Sequence, residues 1–350
     1  MEPPFQAAHL AAHLSVERRP LVQLHGTPLL SDGGLETTLV FHQGIELPGF
    51  AAFDLLQRER GPQLLADYFR SYFALAREAG TGFVMETPTW RANPVWGARL
   101  GYDGLELAAA NRQAVALLQE LRHEEESAAR AAGLPVPPIQ ISGCIGPRGD
   151  GYVADQQLSA EEAEQYHRWQ IGVLAGSGVD LVSAFTLSAV PEAVGIVRAA
   201  RREAVPVVIS FTVETDGQLP SGQPLGEAIE AVDAATGAAA AYFMLNCAHP
   251  SHFAAVLQQG GRWRERIGGL RANASRRSHA ELDEAESLDE GDPHDLALLY
   301  RELSPLLPNL AVLGGCCGTD RRHVAAIARA TLPLLWEGLS RCRASPEGDG

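Results

Sequence analysis

Short β-branched or apolar runs alternate along the chain with stretches whose apolar residues recur at helical spacing. Eight such runs end near PLLSD (28–32), GFVME (82–86), IQISG (139–143), DLVSA (180–184), VPVVIS (205–210), AYFML (241–245), RIGGLRA (266–272) and LAVLGG (310–315). A strand followed by an amphipathic helix, repeated, is the sequence form of a parallel sheet covered by helices. Eight repeats predict an α/β fold closed into a single (β/α)8 TIM barrel rather than an open sheet. The helix boundaries agree. Pro62 sits where a first-turn proline is tolerated, Leu65, Tyr68, Phe69, Tyr72 and Phe73 then recur on one face, and Gly80 supplies a left-handed stop. That aromatic stripe reads as core packing rather than as a ligand box. Ser159 and Glu162 form a capping box before a helix carrying Tyr166 and Trp169.

No linker divides the chain, so one barrel domain is expected over 25–335, with an N-terminal extension over 1–24 and a C-terminal tail over 336–350. The polar end from Arg343 and the start up to His13 are expected to be disordered. No apolar run approaches the roughly 20 residues that span a bilayer, and the first residues lack a basic start followed by a long apolar stretch. A cytoplasmic protein with reduced thiols and no membrane partner is the expectation. The net charge of −15 argues against a nucleic-acid partner, which needs a clustered basic surface, and in favour of a small molecule. Eight acidic residues crowd Glu281 to Asp295, a block that reads as a solvated loop or mobile flap in preference to a cation site.

In a barrel of this kind the reacting groups gather where strands end, because those loops converge on one face. The unusual polar residues fall there: Asp32 after strand one, Glu86 and Thr87 at strand two, Asn246 and Cys247 at strand six, Asn273 at strand seven, and Cys316 and Cys317 at strand eight. Five cysteines in this spacing are not a disulfide scaffold. Cys144 and Cys342 read as a packed residue and an incidental thiol. In LGGCCGTD, neighbouring side chains on a regular strand would point to opposite faces. Gly314, Gly315 and Gly318 open backbone angles that let Cys316 and Cys317 aim at one point. With Cys247 they would make a three-thiolate face for Zn²⁺ that leaves one position open. Three thiolates leave such a site at −1, so an incoming thiol is kept ionised yet nucleophilic, and attack on an activated methyl group becomes feasible. Taken separately, the vicinal pair could equally form a disulfide or pack, and NCAHP could be an ordinary turn with His249 facing solvent.

At this point the chain resembles the homocysteine S-methyltransferase family, zinc-dependent (β/α)8 barrels. The resemblance rests on SDGGLETTL (31–39), SFTVETDGQLPSGQPL (210–225), MLNCAHP (244–250) and GGCCGTD (314–320), and spans roughly residues 25–335. It implies Zn²⁺ on Cys247, Cys316 and Cys317, with Asp32, Gly33 and Gly34 in the pocket for the amino acid, where a carboxylate suits a substrate ammonium. No side chain is implied as catalytic beyond the zinc-activated substrate thiol, and Asn246 is implied as a positioning residue. Members commonly carry an acidic residue in a C-E-T element at the end of the fourth strand that helps hold the substrate amine. Here the chain reads Ala184-Phe185-Thr186. Glu86 is the candidate to supply that charge from strand two, and Glu214 a weaker one. The implied partners are a thiol acceptor, homocysteine, giving methionine, and a donor such as S-methylmethionine, S-adenosylmethionine or betaine. The alternatives are another small thiol as acceptor, a zinc hydrolase, or a non-catalytic zinc barrel.

Overall fold

The computed structural model describes residues 18–152, 158–285 and 287–344, with side chains as far as residue 337. Eight parallel strands close in sequence order, β1 pairing with both β2 and β8. They are β1 Leu29–Leu30, β2 Gly82–Glu86, β3 Ile139–Ile145, β4 Leu181–Leu187, β5 Val207–Phe211, β6 Tyr242–Asn246, β7 Ile267–Ala272 and β8 Val312–Gly315. The helices between and after them are α1 Leu35–Thr37, α2 Gly61–Glu78, α3 Pro94–Arg99, α4 Gly104–Ala131, α5 Ala160–Gly176, α6 Val190–Arg202, α7 Leu225–Thr236, α8 Pro250–Gln258, α9 His279–Asp283, α10 Pro293–Leu303 and α11 Arg321–Ala344. The (β/α)8 barrel is the expected one. Its first strand is shorter than the apolar run suggested, but the ladder continues past it: Ser31 N–H donates to the Leu313 carbonyl at 2.8 Å and Gly315 N–H to the Asp32 carbonyl at 2.9 Å.

Two periodicities build two apolar layers. Outward-facing strand residues such as Phe83, Ile141, Val182, Ile209, Phe243 and Leu313 pack with the helices, among them the α2 stripe of Leu65, Phe69, Tyr72 and Phe73. Alternate residues point inward, where Leu29, Val84, Leu181, Val208, Tyr242, Met244 and Val312 fill the barrel. Toward the strands' C-terminal ends the inward positions turn polar: Glu86, Ser142, Ser183, Ser210, Asn246 and Arg271 are all buried. The capping box expected at α5 is present, with Ser159 and Glu162 exchanging reciprocal bonds.

The ends of the chain differ from expectation. Residues 18–24, placed in the extension, lie against the foot of the barrel: Leu21 joins the interior cluster, Arg18 Nη2 donates to the Ala175 carbonyl at 3.1 Å, and Gln140 Nε2 donates to the Pro20 carbonyl at 2.9 Å. A barrel's lower opening exposes apolar side chains, and this segment covers them. At the other end α11 runs to Ala344, past the boundary expected at 335, with Pro333 inside the helix rather than ending it. The start up to His13 and residues 345–350 lie outside the described residues. Among the described residues no helix is long and apolar enough to cross a membrane.

Candidate active site

A cavity of about 430 Å³ opens at the C-terminal ends of the strands. Asp32, Gly33, Gly34, Glu86, Asn246, Cys247, Cys316 and Cys317 all line it, so the residues named from the sequence converge on one place. The Cys247, Cys316 and Cys317 sulfurs lie within 4.8 Å of one another. Cys247 follows β6 with φ at 54°, a left-handed conformation unusual without glycine. Its carbonyl is held there by Asn273 Nδ2 at 2.9 Å and His279 Nε2 at 2.7 Å, and its N–H donates to the Arg271 carbonyl at 3.2 Å. Cys316 and Cys317 stand just past β8, Cys316 N–H donating to the Ala272 carbonyl at 2.9 Å.

The glycines around the vicinal pair act differently from expectation. Of the three, Gly318 has positive φ, at 76°. Gly314 is required for space: a Cβ there would lie 2.9 Å from the Asp32 carbonyl oxygen and 3.0 Å from Ser31 Cβ. The Cys247 and Cys316 sulfurs are in direct contact across the ends of β6 and β8, with Cys317 beside them. Reduced, the set fits zinc: a tetrahedral ion with Zn–S bonds of about 2.3 Å needs sulfurs about 3.8 Å apart. Among the described residues no fourth His, Cys, Asp or Glu joins the cluster. Burial pushes the Cys317 thiol up to about 11, so it carries its proton unless a cation is bound.

Two hydroxyls that the sequence reading passed over reach the sulfurs. Thr186 Oγ1 lies 3.6 Å from Cys247 Sγ, and Tyr152 Oη lies 3.9 Å from Cys317 Sγ. Asn246 fixes Thr186: it accepts from the Thr186 N–H at 2.9 Å, donates to Thr186 Oγ1 at 2.8 Å, and accepts from Ser210 Oγ at 2.6 Å. Thr186 has φ at 62°, and its two hydrogen bonds with Asn246 hold that conformation.

Asp32 is not an open carboxylate. Arg271 Nη1 is 2.7 Å from its Oδ1 and Tyr68 Oη donates to its Oδ2 at 3.0 Å. Arg271, an inward arginine on β7 that the sequence reading did not single out, also donates to the Gly315 and Gly33 carbonyls at 3.1 and 3.2 Å and to Ser31 Oγ. Its guanidinium lies 5.2 Å from the centre of the buried Phe185 ring. Its signal was present, a lone arginine at an inward position of an apolar strand, but its partner could not be inferred locally. Glu214 is turned away, 3.3 Å from His279 Nδ1, which removes it as the replacement for the missing fourth-strand acid. His249, read as solvent-facing, is buried and caps α8 by accepting from Ser251 N–H at 3.2 Å.

Glu86 remains. It is 8 % exposed, it lines the cavity, and its Oε2 has no hydrogen-bond partner. Burial pushes its carboxyl up from 4.5 to about 7, against the opposing pull of Arg271 and the Ser142 and Ser183 hydroxyls. A raised folded-state value means the folded protein holds this proton where the unfolded chain has released it. The contribution to stability is present below 4.5 and lost as pH rises through about 7. Glu86→Gln is therefore expected to gain stability relative to the parent between about pH 5 and about pH 7.5, read from urea unfolding at both ends. A stability difference independent of pH would contradict the assignment.

The acidic block forms part of the wall. Leu282, Asp283, Leu288 and Asp289 line the cavity, and three of the carboxylates are engaged locally: Asp289 with Ser275 Oγ at 2.6 Å, Asp292 capping α10, and Glu290 with Arg322 and with His42 at 3.0 Å. The segment is thus built into the site rather than being only a solvated loop.

Residues 29–331 match the protein family described as homocysteine S-methyltransferase. The chain belongs to that family. It is 23% identical to homocysteine S-methyltransferase 1 of Arabidopsis thaliana over 325 residues, covering 88% of this chain and 95% of that one. Against homocysteine S-methyltransferase 4 of Zea mays it is 25% identical over 323 residues, covering 89% and 92%. Its fold superimposes on the homocysteine methyltransferase MmuM from Escherichia coli. The oxidised form gives a TM-score of 0.68 at 21% identity, covering 86% of this chain and 95% of that chain, and the metallated form 0.67 at 20% identity, covering 87% and 96%. Family membership makes the chain a methyltransferase acting on small molecules.

Proposed function

We propose that this protein transfers a methyl group from a sulfonium or ammonium donor to the thiol of homocysteine, giving methionine, with reduced Cys247, Cys316 and Cys317 as the ligands of a zinc ion. The reading is carried by three sulfurs converging within 4.8 Å at the wall of one cavity. A zinc ion held by these thiolates would keep the acceptor thiol ionised at neutral pH.

The chain's own residues do the rest. Thr186 and Tyr152 direct hydroxyls at the sulfur cluster, and Asn246 keeps Thr186 in place. Glu86 offers its unpartnered carboxyl oxygen to the acceptor ammonium, whose arrival favours the ionised form. Asp32, neutralised by Arg271, contributes by fixing the turn at Gly33 and Gly34, where a Cβ on Gly33 would meet Tyr72 Oη at 2.7 Å. Trp90, Trp96, Phe41 and Phe50 line the cavity with aromatic surface that excludes water, and Phe41 and Phe50 are the rings suited to receiving a cationic methyl donor, since Trp90 and Trp96 pack on arginine. Holding sulfur, methyl carbon and leaving group in line is what such a displacement gains most from.

One observation favours a second acceptor of the same class. Phe185 puts an apolar ring, not a carboxylate, at the end of β4, which suits a thiol without an amine at that place. The test is metal analysis of the reduced protein together with methyl transfer to homocysteine and to simple thiols from S-methylmethionine, S-adenosylmethionine and betaine. One equivalent of zinc and turnover on homocysteine are expected. Absence of metal in the reduced protein overturns the reading, and turnover confined to amine-free thiols replaces homocysteine with the second acceptor.

A further inference from the structure

The cavity holds a second cation whose charge nothing in the proposed chemistry uses. Arg91, in the loop after β2, is 7 % exposed and lines the cavity. Its guanidinium carbon lies 3.9 Å from the Trp90 ring centre and 3.6 Å from that of Trp96, so both neighbouring rings pack on it. Nη1 donates to the Gly149 carbonyl at 3.2 Å, and Nε is buried without an acceptor. Among the described residues Arg91 makes no ion pair, in contrast to Arg271, which is matched by Asp32. Asp150 and Glu36 stand near enough to favour its charge without bonding it, while burial draws it down to about 10.

A buried guanidinium without a counter-ion is costly to maintain, and side chains in this state are ordinarily paired. The stacked tryptophans remove the guanidinium's freedom to swing out to water. They leave its edge, the direction in which a planar fork binds a carboxylate, as the route for partnering. The loop is itself anchored. Asn93 Oδ1 accepts from Trp96 N–H at 3.1 Å and from Tyr166 Oη at 2.7 Å, Trp90 Nε1 donates to the Phe185 carbonyl at 3.4 Å, and Thr89 Oγ1 to the Cys144 carbonyl at 2.7 Å. The cation is thus held on a rigid mount beside the cavity that contains the cysteines.

We propose that Arg91 is the carboxylate-binding residue of this site, pairing with the α-carboxylate of an amino-acid ligand. The proposal deepens the methyl-transfer reading and rests on it for the identity of the ligand. Acceptor and donor amino acids both carry this group, and the charge-assisted contact is the same for either. Glu86 and Arg91 then divide the recognition of an amino acid, ammonium to one and carboxylate to the other.

The decisive measurement compares ligands with and without the carboxylate on the full-length reduced protein. Methionine and 3-(methylthio)propylamine are titrated calorimetrically, and homocysteine and 3-aminopropane-1-thiol are compared as acceptors, with the parent, Arg91→Met and Arg91→Lys. The Arg91→Met side chain keeps apolar contact with both tryptophans, and thermal melting checks that the variants remain folded. Methionine binding and the KM of the carboxylated substrate are expected to weaken roughly 10- to 100-fold in Arg91→Met, with partial recovery in Arg91→Lys. Ligands lacking the carboxylate are expected to bind weakly to the parent and to be unaffected by either substitution. A KM change confined to the acceptor, or to S-methylmethionine as donor, assigns the carboxylate to that substrate and supports the proposal. Equal weakening for both ligand types, or none for either, overturns it by showing Arg91 to be a packing residue. The titration needs no turnover, so it decides this point even where the parent methylates neither thiol, an outcome that would count against methyl transfer alone.

Discussion

Cys247→Ala is expected to abolish both zinc retention and methyl transfer in the reduced protein. The three sulfurs converge on one point, and two of them come from adjacent residues on the β8 side, so Cys247 contributes the sole sulfur of the cluster from the β6 side. Removing it leaves two thiols, and no other His, Cys, Asp or Glu of the described residues stands in the cluster to replace it. Partners behind a ligand commonly cost roughly 10–100-fold when removed, so loss of a ligand is expected to cost on the order of 10³-fold or more in kcat/KM. Metal content by mass spectrometry should fall from about one equivalent to background. Cys144→Ala is the matched control. Cys144 also lines the cavity, but its thiol is not part of the cluster and burial holds it protonated, so the control should keep its zinc. Full metal loading in Cys247→Ala would remove the three-cysteine site from consideration.

Asp32→Ala is expected to be the most destabilising single change in the site. The Asp32 and Arg271 side chains are 3% and 9% exposed, and their contact at 2.7 Å is supported by Tyr68 and by carbonyls of two loops. Deleting one partner of a buried pair strands the other charge in a medium that solvates it poorly, at a cost of about 3–5 kcal/mol. Replacing both partners with apolar side chains costs less, because no charge is left behind. Urea unfolding at neutral pH should therefore rank Asp32→Ala below the double variant Asp32→Ala/Arg271→Met. Glu86 is the next carboxyl in the field of Arg271 and should be drawn toward its ionised form in Asp32→Ala. Glu86→Gln, which gains stability in the parent at neutral pH, should accordingly gain less in the Asp32→Ala background or lose stability there. A cost under about 1 kcal/mol for Asp32→Ala, the range of exposed pairs, would show that water reaches the pair.

The parts of this site legible in the sequence were those announced by local chemistry. A cysteine at the end of a strand, two more after a pair of glycines, and a glutamate closing an apolar run each stand out from their neighbours, and barrel topology then brings strand ends together. Arg91 was visible as a residue within TWRANP, but nothing in that string says that both tryptophans would close on it. Tyr152 and His279 carried no signal at all. They become part of the site because their rings meet, 4.3 Å apart, where two loops cross the cavity.

The sequence by itself determined the eight strand–helix units, the inward and outward faces of each strand, and the convergence of three cysteines, since strand and helix periods are local properties of a chain. Tertiary structure alone decided how the charges pair. Asp32 was expected to face a substrate ammonium and instead meets Arg271. Glu214 was a candidate acid and meets His279. Glu86 and Arg91 are left without ionic partners in direct contact among the described residues. Which charge neutralises which depends on distances between strands far apart in sequence. In a buried site a difference of a few ångströms separates a satisfied ion pair from a group held ready for a ligand.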